Sequence, residues 1–371
     1  MSIKDKTIFI TSNEPWGDIW YSKQNYAFEL SRVNQVYFVD PPTKRSLFNW
    51  FKFEVRSIRV SENLSVIQYD HILPYLSNWF NRLNNKLVSK RLRKWITEQG
   101  IKDFIFWSFD PIRLYNPKLL GAELSIFHCV DYFYFKHLGE RELCLNSDLL
   151  FATSKLFLDN YSIFDKPKHI VPHGISEDEF TLENDKKKEY LLDLNDFGLY
   201  IGVIDHRMDF GLYEKLITTY IDTPFVFIGP IRVQNNEAFV RIFEQKKYTN
   251  VHILGPKHFK TLKYYIAQSS FCLSLMDMNF HMNTVHHHKT LVYLCQGKPV
   301  FSFIFEEYKH LGDIMYLSNS HDGIISLLGE YLKSGEVGDL VSDRISYAKK
   351  FTFKNIIESA GKIIEEHQAT S

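Results

Sequence analysis

Short apolar runs closed by glycine recur along this sequence, and they constrain its fold more than any other feature. Leu199 to Ile204 reads Leu-Tyr-Ile-Gly-Val-Ile, Phe225 to Pro230 reads Phe-Val-Phe-Ile-Gly-Pro, and Val251 to Pro256 reads Val-His-Ile-Leu-Gly-Pro. Each run has the length of a strand buried on both faces and ends at a breaker. Helical patterns start near Gly211 and span Leu262 to Ser269, with a further strand at Phe271 to Leu275. Strand, glycine and helix in repeated order specify a parallel, doubly wound sheet whose strand ends lie close to a ligand.

The first half follows the same grammar. Thr7 to Ile10 is a strand, residues 11–18 are rich in turn formers, a helix runs from about Tyr21 to Ser31, and Val36 to Val39 stops at Asp40-Pro41-Pro42. This is a βαβ unit, which places loop 11–18 at a ligand-binding edge. Phe104 to Trp107, Ser125 to Val130 and Leu149 to Ala152 are further buried-type strands, the second ending at Asp131. A chain of 371 residues is too long for one ordinary core. The expected fold is α/β, with two Rossmann-like doubly wound parallel-sheet domains facing a cleft. They are expected at 1–180 and 190–345, joined by the charged, aperiodic segment 181–189 and followed by a terminal helical segment, 346–371.

Zero net charge and a pI near 7.3 give no sign of a nucleic-acid partner. Cys129, Cys144, Cys272 and Cys295 are widely spaced and read as buried free thiols in a reducing compartment. The first apolar run is too short for a signal peptide, and no run approaches the ~20 residues of a membrane span, so a cytoplasmic protein is expected. One stretch suggests contact with anionic lipid. From His71 to Thr97 there is no acid, while Arg82, Lys86, Lys90, Arg91, Arg93 and Lys94 accompany Trp79, Phe80, Leu83, Leu87 and Trp95. The alternative is an ordinary amphipathic helix packed on a sheet.

The stretch from His288 to Phe301 carries a more specific mark. A helical pattern ends at Gly297, Pro299 forbids its continuation, a strand opens at Val300, and Lys289 stands at the helix N-terminal end, where a phosphate is favoured. It resembles the P-x-K-x-x-E-Y-L-A-x-G-K-P-V-V segment of GT-B glycosyltransferases, specifically the retaining, family-4-like group that builds bacterial polysaccharides. Lys289, Tyr293, Leu294, Gly297, Lys298, Pro299 and Val300 match, whereas Val292 replaces a glutamate that grips the donor ribose and His287 replaces a proline. Trp20 and Gln24 match the family's first loop and helix, with Ser22 in place of an arginine. Asp131, Asp148, Ser154, Pro172, Gly174 and Phe180 match a further pattern in which His173 replaces asparagine. Gly202, Arg207, Asp209, Gly229, Pro230, Gly255 and Lys257 match the second-half segments. The similarity covers nearly the whole chain and is weakest over 43–100.

That resemblance implies a retaining hexosyltransferase moving a sugar from a nucleotide-diphosphate sugar to a glycan or lipid-linked glycan in cell-surface polysaccharide synthesis. It also implies a terminal helix that returns to the first domain; the basic aromatic stretch is what would set the protein at the inner face of the plasma membrane. A leaving diphosphate needs its charge neutralised, by metal or by cationic side chains. Asp277-Met278-Asn279 is the nearest approach to a metal-binding carboxylate pair and lacks the second acid. A metal-free reaction without a cofactor is therefore expected, with Arg207 and Lys289 on the phosphates; the alternative for Arg207 is a pair with Asp205 or Asp209. His281, His286, His287 and His288 lack the spacing of a helical metal site, so His286 and His288 are expected to donate to phosphate or sugar. Gly202, Asp209, Gly229 and Lys257 complete the expected donor side, and Trp16, Asp18, Gln24 and His173 the acceptor side. Asp131 would deprotonate the acceptor hydroxyl in an inverting reaction and position the acceptor or sugar in a retaining one; a turn or capping aspartate is the alternative. A non-catalytic nucleotide- or glycan-binding subunit of the same fold is the second hypothesis, motivated by Val292.

Overall fold

The computed structural model describes residues 3–17, 20–42, 53–73, 77–131, 133, 135–277, 288–336 and 338–370. The chain forms two compact units, residues 1–174 with 353–371, and residues 175–352.

The first unit holds an eight-stranded sheet. Its strands are β1 (Thr7–Thr11), β2 (Gln35–Val39), β3 (Val55–Ser61), β4 (Leu64–Tyr69), β5 (Ile105–Ser108), β6 (Leu124–Cys129), β7 (Leu149–Ala152) and β8 (Lys168–Ile170). The order is β3-β4-β2-β1-β5-β6-β7-β8. All pairings are parallel except β3 with β4, so the sheet is mixed at one edge. β5, β6 and β7 are buried throughout, as their unbroken apolar runs require. The chain winds outward in both directions from β1 and β5, and the ends of these two strands are the switch point, where Thr11 Oγ1 donates to Ser108 Oγ over 2.9 Å.

The basic stretch becomes a helix over Asn78–Glu98. Val88, Leu92 and Ile96 pack it against Phe9, Ile67, Phe104 and Phe106 of the sheet, while its six basic side chains stay exposed. Trp79 lies outside the packed face, 64% exposed.

The second unit holds β9 (Gly198–Ile201), β10 (Phe225–Ile228), β11 (Val251–Gly255), β12 (Phe271–Ser274), β13 (Val300–Phe303) and β14 (Tyr316–Ser318). They form a wholly parallel sheet in the order β11-β10-β9-β12-β13-β14, which puts its switch point between β9 and β12.

The chain passes between units at 174/175 and 352/353 instead of within 181–189. Ile175 pairs with Thr352, Lys263 Nζ donates to the Asp178 carbonyl over 2.8 Å, and Cys295 Sγ donates to the Glu179 carbonyl over 3.4 Å. These bonds fasten residues 175–180 to the second unit, and Asn184–Glu189 is a helix. The terminal helix, Phe353–Thr370, belongs to the first unit, where Phe353 packs edge-on against Tyr26 at 5.5 Å. Gly174 makes room for it, because a Cβ there would meet the Phe353 ring at 2.4 Å. The four cysteines are free and buried. Among the described residues no helix is long and apolar enough to cross a membrane.

Candidate functional site

At the second unit's switch point the helix His288–Cys295 is anchored by Tyr293, whose buried hydroxyl accepts the Ile201 N–H at 2.8 Å. This bond satisfies a donor at the end of β9 and fixes the helix above that strand. Lys289, one turn earlier on the same face, is thereby brought over Tyr200, its Nζ 4.4 Å from the ring centroid and 3.5 Å from Met276 Sδ. The residue as a whole is half-buried, but its ammonium end is packed away from water. Burial, followed by the nearby Arg207 charge, pushes its pKa down to about 7.

Arg207 does not stand alone. Its Nε and Nη2 reach the two oxygens of Asp205 at 2.8 and 3.0 Å, the alternative recognised in the sequence. Asp205 is buried, and Arg232 Nη1 approaches it at 3.9 Å. Burial pushes the Asp205 carboxyl up, but hydrogen bonds from Arg207 outweigh it and leave its pKa below the ordinary value. Three cations, Arg207, Arg232 and Lys289, thus surround one carboxylate at the end of β9. The loop is tied to that of β12 by Asp277 N–H donating to the Arg207 carbonyl over 2.8 Å. Arg232 was missed by motif reading; its signal was only a basic residue shortly after β10.

Four residues expected on the donor side have the following surroundings. Gly229 does not open space for a ligand: a Cβ there would sit 1.9 Å from the Gly202 carbonyl oxygen, so the adjoining backbone fills the gap. Gly202 sits at φ 145°, where a Cβ would approach the Tyr200 hydroxyl at 3.1 Å. Asp209 is already engaged, its Oδ1 capping the helix Phe210–Thr219 at Leu212 N–H over 2.9 Å and its Oδ2 lying 2.6 Å from His321 Nε2. Lys257 is exposed beyond β11, at the sheet edge and two strands from β9. His288 is the exposed first residue of its helix. His286 lies outside the described residues, as do His281, His287 and the Met278-Asn279 pair. Among the described residues no cluster of His, Cys, Asp or Glu could hold a metal ion.

The first unit also gathers charge at its switch point. Lys23 has a side chain only 4% exposed, yet it lies 2.8 Å from Glu14 and 3.8 Å from Asp131. Asp131 is 59% exposed just past β6, while the shared lysine ties it to the β1 loop. Neither Lys23 nor Glu14 was singled out in the sequence, although Lys23 directly follows Ser22, which stands where the family has a cation. Ser22 itself bonds His173 Nδ1 at 3.2 Å. Gln24 is corrected from ligand to strut. It is fully buried, its Oε1 accepting from Tyr21 N–H at 3.0 Å and its Nε2 donating to the Pro15 carbonyl at 3.0 Å. Trp16 is partly exposed; its N–H is held by Asp40 at 2.7 Å and its ring by Trp20 and Phe38 at 5.2 and 5.1 Å. Asp18 lies outside the described residues.

Solved structures share the fold of this chain. A structure described as "Trehalose-6-phosphate from E. coli bound with UDP-2-fluoro glucose" is similar at TM-score 0.68 and 12% identity, covering 98% of this chain and 99% of that one. Sucrose-phosphate synthase from Thermosynechococcus elongatus matches at TM-score 0.68 and 12% identity, over 99% of this chain and 100% of that one. An alpha,alpha-trehalose-phosphate synthase (UDP-forming) from Burkholderia xenovorans, in complex with glucose-6-phosphate, matches at TM-score 0.69 and 10% identity, over 98% and 100%. The fold is GT-B. At these identities the likeness is one of fold. No known family model matches the sequence, and no curated protein matches it.

Proposed function

We propose that this chain is a glycosyltransferase that moves a sugar from a nucleotide-diphosphate sugar to an acceptor hydroxyl. One observation carries the reading: Arg207, Arg232 and Lys289 gather about the buried carboxylate Asp205 at the end of β9, beside the β9/β12 switch point. Open α/β sheets bind ligands at such points, and gathered positive charge there suits a diphosphate. Similar folds bound to UDP-2-fluoro glucose and to glucose-6-phosphate support a sugar donor and a sugar-like acceptor.

Lys289 and Arg207 stabilise the negative charge that grows on the leaving diphosphate, without metal and with retention at the transferred carbon. Asp131, steadied by Lys23, orients the acceptor on the first unit. The acceptor is a glycan or lipid-linked glycan of a bacterial surface polysaccharide. The exposed basic face of Asn78–Glu98, with Trp79 at its start, rests on anionic lipid. A thermal-shift panel of UDP, GDP, CMP and their sugars in EDTA tests the donor side, since a ligand of the native state raises the midpoint as RT ln(1 + [L]/Kd). Stabilisation by one nucleotide diphosphate is expected; loss of it on chelation would end the metal-free mechanism, and no response to any nucleotide would end the reading.

A second reading, a non-catalytic nucleotide-binding subunit, is favoured by Val292, which packs partly into the core where the family has its ribose-binding glutamate. Nucleotide binding without turnover of any donor sugar would select it.

A further inference from the structure

The loop that leaves β6 through Asp131 continues into a cleft that none of the donor or acceptor candidates lines. The cleft measures about 470 Å³, within the ~300–1,000 Å³ span of small-molecule sites, and is lined by Asn78, Phe135, Lys136, His137, Arg141 and Ile163 among others.

Its walls differ in chemistry. Lys136 and Arg141 are exposed and His137 is half-buried, and no acid lines the cleft among the described residues. Two of the acids near the loop are committed elsewhere. Asp131 faces Lys23, and Glu140 is fully buried with its Oε1 accepting from Tyr161 Oη at 2.7 Å. The other wall is apolar and wet: Ile163 is 71% exposed and Phe135 37%.

The cleft is also shaped in advance. Phe135 sits at φ 56°, an uncommon conformation for a side-chain-bearing residue, and its ring is pinned on Tyr161 and Phe164 at 5.8 and 6.0 Å. Backbone bonds from Lys136 N–H to the Phe133 carbonyl at 3.0 Å and from Glu140 N–H to the His137 carbonyl at 3.2 Å hold the turn. Cations on a fixed turn beside exposed hydrocarbon complement a ligand with one anionic head and one apolar tail. A free phosphate would leave Phe135 and Ile163 in water, and a neutral lipid would leave Arg141 unpaired within the cleft.

We propose that this cleft binds a monophosphorylated amphiphile, its phosphate held by Arg141, Lys136 and His137 and its chain lying on Phe135 and Ile163. The inference rests on the glycosyltransferase reading only for the role of that molecule, which would be to carry the acceptor.

Calorimetry on the whole protein with farnesyl phosphate, farnesol and inorganic phosphate tests it, each below its aggregation threshold. Farnesyl phosphate should bind at least about tenfold more tightly than either of the others. The double variant Lys136→Glu/Arg141→Glu should weaken it by about tenfold or more, since hydrogen bonds between charged groups are lost. Ile163→Asp should reduce it to the level of inorganic phosphate. All three positions lie at the surface, so the melting midpoints should hold. Equal binding of inorganic and farnesyl phosphate, or farnesyl phosphate binding indifferent to both variants, would overturn the proposal. No farnesyl phosphate binding while UDP or GDP still stabilises the protein overturns the cleft alone. The reverse pattern overturns the donor site and leaves the cleft standing.

Discussion

Each unit places a lysine at the switch point of its sheet, and the two lysines live in opposite electrostatic company. Lys23 is outnumbered, with Glu14 and Asp131 both within 4 Å. Lys289 keeps company with other cations, Arg207 and Arg232, about the buried Asp205. The first arrangement holds carboxylates in place; the second gathers cations, the property on which the proposed diphosphate site rests. The fold supplies the same location twice, and local charge count gives each copy its chemistry.

The strongest test of this contrast is Lys289→Ala. If the gathered cations stabilise the leaving diphosphate, kcat should fall by about 10²–10³, the effect of removing one preorganised donor. Lys289→Arg should recover only part of it, because a planar fork does not reproduce a point charge. Unchanged turnover with any active donor would remove the lysine from the site.

Lys23→Met should act on folding instead. Stranding Glu14 beside Asp131 should cost about 3 kcal/mol, the lower end for breaking a buried pair, since Glu14 keeps some solvent. Lys94→Met, which breaks an exposed pair with Glu98 at 3.7 Å, provides the control at about 0.5 kcal/mol. Equal losses in urea titrations would show that Lys23 has no special role.

The pH dependence sharpens the comparison, because Lys289 should give two trends of opposite sign. Its pKa of about 7 means that the ammonium needed for the diphosphate is lost as pH rises. Nucleotide diphosphate affinity should be level below about pH 7 and fall by up to about tenfold per unit above it. Over the same range the unfolded chain, with lysine near 10.5, binds the extra proton, so this group makes stability increase with pH. Calorimetry and melting curves from pH 6 to about 9 on wild type and Lys289→Met separate the two; parallel trends would contradict the burial of the ammonium.

The smallest effect concerns Asp209. As a helix cap it should cost about 1 kcal/mol on Asp209→Ala and leave nucleotide affinity unchanged. A drop in affinity without a drop in melting midpoint would return it to the donor site.

The residues that matched the glycosyltransferase pattern divide into two kinds. Tyr293, Gly174, Gly229 and Gln24 turn out to hold the fold together, by a hydroxyl on Ile201 N–H, by space for Phe353, by contact with the Gly202 carbonyl and by bonds across the first loop. Lys289 and Arg207 are the ones proposed to act chemically, and a motif does not distinguish the two kinds, because both are equally specific in sequence. Residues 78–98 show a related limit. Their helical spacing and basic face were readable, but Trp79, counted with the apolar residues, stays outside the packed face, which is built instead from Val88, Leu92 and Ile96.

The sequence by itself determined most of the strands and the glycine-marked ends of β9, β10 and β11, because burial on both faces and backbone breakers are local properties written in runs of a few residues; β3, β4, β8 and β14, and the strand order that sets the switch points, came from the structure. Only the tertiary structure decided who meets whom there. The Tyr293 anchor spans 92 residues of sequence, and the bond between Ser22 and His173 spans 151. A charge takes its function from neighbours that parallel strand order brings from elsewhere in the chain, so Lys23 between two acids and Lys289 among cations look alike until the sheets are assembled.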